Sequence, residues 1–312
     1  DVVIASSTYP LDIYPARHIA KKYGAQMLYE MHDLWPLSPM ELGGMSKYHP
    51  FIVGMQIAEN ACYRHSDYVV SLLPCAKEHM VEHGMNPDKF ICIPNGINRE
   101  DWERPVEPES VPYQEKLRQY RGDGWFLIGY TGAHGLANAL DSYVEAGEEL
   151  KGKKIKLILV GRGPERDRLC RKIGELGLEE NVEALPAVQK DDIPGLLAQF
   201  DALYVGLQRQ PLFRFGVSPN KLMDYMMAGK PVIFAIEAGN DMVADAGCGI
   251  SIPPEDSHAI AEAAIRMAEI PAAEREAMGA RGHAYILEKH EYGVLSEQFR
   301  EVFRRGKFSG NQ

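Results

Sequence analysis

The stretch Gly216-Val217-Ser218-Pro219-Asn220-Lys221-Leu222-Met223-Asp224-Tyr225-Met226-Met227-Ala228-Gly229-Lys230-Pro231-Val232-Ile233 reads as a loop, a short capped helix and the start of an apolar strand. Ser218 suits an N-cap and Pro219 the first helical turn, while Gly229 suits the stop. A helix start offers unpaired N–H groups and a partial positive charge, and both favour an anion. Lys221 adds a full charge there. Asp224 lies three residues after Lys221 and four after Asn220, so the spacing predicts one shared face. A cation at a helix start with a carboxylate one turn deeper suits a ligand that carries both a diphosphate and a ribose diol. Leu222, Met223, Met226 and Met227 are expected to pack inward, and packing alone does not account for Asn220, Lys221 and Asp224.

Around this stretch, short apolar strands alternate with amphipathic helices, the pattern of parallel sheets covered on both faces. Strands are expected at 2–5, 26–31, 68–71 and 90–93, with helices at 12–23, 50–66 and 74–84. A second series places strands at 125–130, 155–160, 182–185, 202–205, 231–235 and 249–252. Its helices fall at 137–150, 164–176, 191–198, 219–228, 239–245, 257–269 and 272–288. Residues 105–124 hold Pro105, Pro108 and Pro112 with few aliphatics, and read as a linker. The reading is therefore α/β with two doubly wound, Rossmann-like domains facing a cleft. An N-terminal domain spans 1–104, a C-terminal domain spans 125–290, and a closing helix at 292–305 completes the chain.

The 312 residues suit two domains. The net charge of −10 argues against broad nucleic-acid binding, because neutralising phosphates needs a basic face. Four basic residues against one acid between Arg300 and Lys307 leave room for local membrane contact. Five widely spaced cysteines without a CxxC suggest reduced thiols and a cytoplasmic setting. No apolar run is long enough to span a bilayer. The chain opens on Asp1-Val2-Val3-Ile4-Ala5 as if a buried strand were already under way, so a preceding segment is expected. The ten histidines show no H-E-x-x-H or tight ligand cluster, and no metal site is predicted.

Ligands of doubly wound sheets sit beyond the carboxyl ends of the strands. Two further loops there are candidates. In Tyr130-Thr131-Gly132-Ala133-His134-Gly135-Leu136-Ala137-Asn138, Gly132 and Gly135 let backbone N–H groups approach a phosphate. In Val160-Gly161-Arg162-Gly163-Pro164-Glu165-Arg166, Arg162 or Arg166 can reach an anion, though Arg166 can equally pair with Glu165 or Asp167. His32, in Met31-His32-Asp33-Leu34-Trp35-Pro36, ends a strand at the cleft and is as compatible with structure as with catalysis. Asn95-Gly96 reads as a turn leading to the linker.

Together, Ile93–Ile97, Gly129–Asp141, Leu159–Leu169 and Pro219–Val232 resemble the retaining glycosyltransferases of family 4, which have the GT-B fold. The pattern Ser-Pro-Asn-Lys-Leu-x-Asp-Tyr-Met-x-Ala-Gly-Lys-Pro, with Gly-Ala-His-Gly-Leu-Ala-Asn and Asp33-Leu34-Trp35-Pro36, is similar to a bacterial subgroup of N-acetyl-L-fucosamine-type transferases of O-antigen and capsule synthesis. The resemblance implies a UDP-sugar donor, a lipid-linked saccharide acceptor at the cytoplasmic membrane face, and absence of the family's first strands from this chain. It assigns donor contacts to Gly132, Ala133, His134, Gly135, Asn138, Arg162, Arg166, Ser218, Pro219, Asn220 and Asp224, the last on the ribose hydroxyls.

Two departures stand out. The first of the family's two acids, eight residues before Asp224, falls on Gly216, and its Arg and Lys of the first C-domain loop fall on Ala133 and Asn138. Lys221, with Arg214 or Arg166, is expected to supply the lost charge. On this reading Lys221 and the helix N–H groups stabilise the leaving diphosphate without a metal or cofactor. A donor phosphate oxygen accepts the acceptor's proton, and His32 orients the sugar or a phosphate. A GT-B sugar-nucleotide epimerase and an inactive nucleotide-sugar-binding subunit remain as alternatives.

Overall fold

The computed structural model describes residues 1–7, 9–103 and 111–308. In the first lobe β1 (Val2–Ser7), β2 (Gln26–Met31), β3 (Tyr68–Ser71) and β4 (Phe90–Cys92) form a parallel sheet in that order. Helices α1 (Ile13–Tyr23), α2 (Leu37–Glu41), α3 (Pro50–His65), α4 (Lys77–Glu82) and α5 (Glu100–Glu103) belong to the same part of the chain. Short runs such as Val69-Val70 are fully buried because helices cover the sheet.

The second lobe contains α6 (Gln114–Gly122), β5 (Phe126–Ala133), α7 (Leu140–Glu145), β6 (Ile155–Arg162), α8 (Arg166–Glu175), β7 (Val182–Leu185), α9 (Ile193–Leu197) and β8 (Ala202–Gly206). It continues with α10 (Asn220–Met227), β9 (Val232–Ala235), α11 (Met242–Ala246), β10 (Gly249–Ser251), α12 (Ser257–Glu269) and α13 (Ala272–Lys289). Its six parallel strands run β10-β9-β8-β5-β6-β7. The strand order reverses between β5 and β8. Connections from these two strands leave to opposite sides there, which opens the crevice in which such sheets hold ligands.

The last helix, α14 (Tyr292–Phe308), returns to the first sheet, where Leu295 and Val302 pack with Leu28, Val70 and Ile93. Ile97 N–H donates to His290 O at 2.9 Å and Tyr292 N–H to Ile97 O at 3.1 Å, so the chain crosses between the lobes twice at one place. Part of the expected linker, 104–110, lies outside the described residues. The rest departs from the expectation. Gln114–Gly122 is helical, Leu117 is buried in the second core, and Tyr120 Oη donates to Glu183 at 2.9 Å. Its many charges face solvent while a single leucine anchors it, a pattern that composition alone reads as a linker. No helix among the described residues is long and apolar enough to cross a membrane.

Candidate functional site

The loops after β5 and β8 meet at the reversal point, and α10 is fixed beneath them by Tyr225. Thr131 N–H donates to Tyr225 Oη at 2.7 Å, and that hydroxyl donates to Thr131 O at 3.1 Å. Lys221 precedes Tyr225 by four residues and therefore shares its face. It turns toward the same strand end. Its Nζ donates to Tyr130 Oη at 2.9 Å and to Asn138 Oδ1, and lies 4.6 Å from the Tyr130 ring centroid. Tyr130 Oη donates to Ala133 O at 2.7 Å, and Asn138 Nδ2 donates to the same carbonyl at 3.0 Å. A Cβ added to Gly132 would sit 3.6 Å from Lys221 Nζ, so the ammonium lies against the bare glycine backbone. Burial pulls the Lys221 pKa down to about 8, which still leaves it charged at neutral pH.

Asn220 and Asp224 face a cavity that Lys221 does not line. This corrects the expectation of one shared face. Asn220 and Asp224 are four apart and line a cavity of about 290 Å³ together with Trp102, Lys190 and Ile193. Lys221, one residue past Asn220, is rotated about 100° away from it. The two halves adjoin, because Ile193 also borders a second cavity of about 520 Å³ lined by Gly132, Ala133, Gly161, Arg162, Gly163 and Val188. Burial raises the Asp224 pKa to about 6, with Lys190 opposing the shift.

The loop before α10 is braced from the first lobe. Ser218 does not cap the helix. Pro219, with ψ 121°, occupies the N-cap position and makes no side-chain cap bond. Ser218 Oγ instead accepts from Asn95 N–H at 3.3 Å, and Ser218 O accepts from Asn95 Nδ2 at 3.0 Å. The Asn95-Gly96 turn, read as a lead into the linker, is therefore also an interlobe contact. Asn240 grips Val217 from the other side, accepting its N–H at 2.7 Å and donating to its carbonyl at 3.0 Å. Gly216 has φ +99°, and a Cβ there would lie 2.6 Å from Pro74 Cδ. The slot in which the family resemblance places an acid is closed to any side chain.

The remaining nominated residues separate. Arg162 borders the larger cavity and has no ion pair among the described residues. Arg166 is absent from that lining and points toward β7, donating to Ala184 O at 3.4 Å. Arg214 is committed elsewhere: its guanidinium grips Glu41 in bidentate fashion at 2.6 and 2.8 Å across the lobes. His134 is fully buried and braces two loops through its backbone, which donates to Arg162 O at 2.8 Å and accepts from Glu165 N–H at 3.0 Å. Burial first, then Arg166 and Lys221, hold its pKa down to about 4, so the ring is neutral. Gly135 starts the turn after β5 without lining either cavity. His32 stands at the end of β2. Its Nε2 lies 3.1 Å from Ser6 Oγ and 3.5 Å from Glu30 Oε2, and the ring borders an interlobe cavity of about 330 Å³ with Asn95, Phe213, Gly216 and Ser218.

Residues 126–269 match the family model described as glycosyl transferases group 1. The match falls within the second lobe. The chain is 22% identical over 64% of its length to an alpha-D-kanosaminyltransferase of Streptomyces kanamyceticus, covering 50% of that protein. It is 23% identical over 81% of its length to WcaI of Escherichia coli, named for colanic acid biosynthesis as a glycosyl transferase, covering 62% of it. The chain thus spans between half and two thirds of these relatives. Among solved structures, Anabaena Alr3699/HepE in complex with UDP superposes with a TM-score of 0.74 at 19% identity, covering 97% of this chain and 78% of that one. The architecture is GT-B.

In the second lobe sequence reasoning missed Tyr130 and Tyr225, which read only as apolar-strand and core-helix residues. The i, i+4 relation of Lys221 to Tyr225 was the signal that carries Lys221 toward the end of β5. It missed the Glu41 and Asn95 contacts as well, because their partners lie 173 and 123 positions away. A further group escaped it: Glu59, His79 and His83 bring one ligand atom each to within 4.8 Å of one another, where no metal site was predicted.

Proposed function

We propose that this chain is a retaining glycosyltransferase that moves a sugar from a UDP-linked donor to a hydroxyl of a lipid-linked saccharide. The observation that carries the reading is the Lys221 ammonium, held by Tyr130 and Asn138 against the Gly132 backbone, with Asp224 on the neighbouring cavity. The resemblance puts a family cation at Asn138, and Lys221 delivers its charge to that side chain from α10. The donor diphosphate lies along Gly132–Ala133 with Lys221 and Arg162, and its ribose faces Asp224. As the glycosidic C–O bond of the donor breaks, negative charge grows on the departing diphosphate, and the fixed ammonium and backbone N–H groups stabilise it. A phosphate oxygen takes the acceptor's proton, and His32 orients the sugar from the first lobe. Because Gly216 has no room for the usual acid, hydrogen bonding to the sugar falls to other groups around the interlobe cavity.

An N-acetyl deoxy-amino sugar donor and a role in surface polysaccharide synthesis follow from the subgroup resemblance, and the likeness to WcaI, named for colanic acid biosynthesis, supports the second. The acceptor then places the enzyme at the cytoplasmic face of the membrane, as a peripheral protein. Calorimetry of the chain against a nucleotide-sugar panel tests the reading. UDP is expected to bind, with Lys221→Glu weakening it at least ~10-fold. Unchanged donor affinity in Lys221→Glu would overturn the site. Release of free epimerised sugar without acceptor points instead to an epimerase, and UDP binding without transfer by the full-length protein points to a binding subunit.

A further inference from the structure

Away from the donor cleft, three residues of the first lobe converge. Glu59 lies on α3 with only 1% of its surface exposed. His79 lies on α4, and His83 caps its C-terminus. The two histidines are four positions apart, so they project from one helix face. Their rings lie close, with centroids 4.2 Å apart and planes tilted by 39°.

Each side chain is oriented as a metal ligand requires. Both Glu59 carboxylate oxygens are engaged by donors, Oε1 by Tyr63 Oη at 2.8 Å and Oε2 by Gln56 Nε2 at 2.7 Å. His83 Nδ1 is bonded to His79 O at 2.8 Å, which fixes the tautomer and leaves Nε2 as the ligand atom. His79 Nε2 is buried, 3.7 Å from Glu59 Oε1, and has no hydrogen-bond partner. That separation is too long for a hydrogen bond. It is close to the spacing of two tetrahedral ligands at ~2.0–2.1 Å from one ion, which is about 3.3 Å.

We propose that Glu59, His79 and His83 form a zinc site, His₂Glu, with water completing the tetrahedron on the half-exposed His83 side. Nitrogen and carboxylate donors without a thiolate suit a borderline ion such as Zn²⁺. The site joins α3 to α4, and the His79 ring packs on Phe215 of the second lobe, 5.2 Å between centroids. A bound ion would tie together the surface on which the Pro211–Phe215 segment of the second lobe rests and would keep one open, water-filled position. The inference does not depend on the donor reading, since none of the three residues borders the donor cavities.

The test uses the full chain stripped with chelator and then titrated with ZnCl₂ or CoCl₂. One Zn²⁺ per chain is expected to bind and raise Tm, and Co²⁺ is expected to give tetrahedral visible absorption without a thiolate charge-transfer band. His83→Gln, at a half-exposed helix end, is expected to lose at least ~10-fold in Zn²⁺ affinity, with UDP affinity unchanged. Cys75→Ser is expected to bind zinc as the parent does, because Cys75, although exposed, is outside the site. No zinc binding by the stripped parent, equal binding by His83→Gln, or a thiolate band with cobalt would overturn the proposal.

Discussion

At the residue scale, Lys221 and Asp224 answer to pH in opposite ways. Burial holds the Lys221 pKa near 8, below the ordinary lysine value. A diphosphate needs the charged form. UDP affinity is therefore expected to be flat below pH 7 and to weaken above about pH 8, approaching tenfold per pH unit. Calorimetry in buffers of different ionisation enthalpy should register proton uptake on binding above pH 8. Lys221→Met should bind weakly with no such uptake. For stability the sign is separate. A depressed lysine pKa means that folding disfavours the charge, so its contribution is full above the unfolded value and lost as pH falls through about 8. Lys221→Met is expected to be at least as stable as the parent at pH 7, which separates lost binding from lost folding. Asp224 has its pKa raised to about 6. Its contribution is full below about pH 4 and lost as pH rises through about 6. Asp224→Asn should accordingly raise Tm at pH 7.5 and leave it unchanged near pH 4, and should weaken UDP binding at pH 7.5, where Asp224 is a carboxylate. A Tm that falls at pH 7.5 would contradict this account of Asp224.

At the scale of elements, the donor loops are coupled through glycines that have no freedom to grow. A Cβ on Gly161 would sit 1.9 Å from Gly132 O, which is backbone on the neighbouring strand and cannot rotate away. Gly161→Ala is expected to destabilise by about 1–3 kcal/mol and to weaken UDP binding by displacing Gly132 from Lys221. Gly54, inside α3 with nothing within 4 Å of its Cβ position, is the contrasting case. Gly54→Ala is expected to stabilise by about 0.5–1 kcal/mol without touching donor affinity. Urea unfolding with calorimetry reads both. Elements of this kind were legible in the sequence because buried parallel strands are continuous apolar runs: β2, β3 and β7 fall on the expected residues. What was not legible depends on distant partners. Ser218 has an N-cap sequence, yet Asn95 outcompetes the helix for its hydroxyl. Arg214 looks available until Glu41 arrives from the other lobe. His79 and His83 show the right interval, but Glu59 comes from another helix with β3 between, and no linear motif records that meeting.

At the scale of the whole molecule, the proposed function divides between the two lobes along the cleft. Lys221, Arg162 and Asp224 all belong to the second lobe, whereas His32 belongs to the first and meets it only across the cavity that also reaches Ser218 and Gly216. The lobes are joined by Asn95 on Ser218, by Cys75 N–H on Phe215 O at 3.0 Å, and by the Arg214–Glu41 pair. That pair is half-exposed and worth little as stability, about 0–1 kcal/mol. If donor binding is a property of the second lobe and orientation of the reacting sugar a property of the junction, the two are separable by mutation. His32→Ala removes a ring whose polar contacts among the described residues are with Ser6 and Glu30. It is expected to leave UDP affinity within about twofold of the parent while slowing transfer to acceptor on the order of 10²-fold, the scale of a misplaced reactant. Lys221→Met is expected to reduce both. The decisive comparison is therefore the ratio of the two losses in each variant, measured by calorimetry for UDP and by turnover with a lipid-linked acceptor. Equal losses of binding in His32→Ala and Lys221→Met would mean that the donor spans both lobes, and the division argued from these cavities would fail.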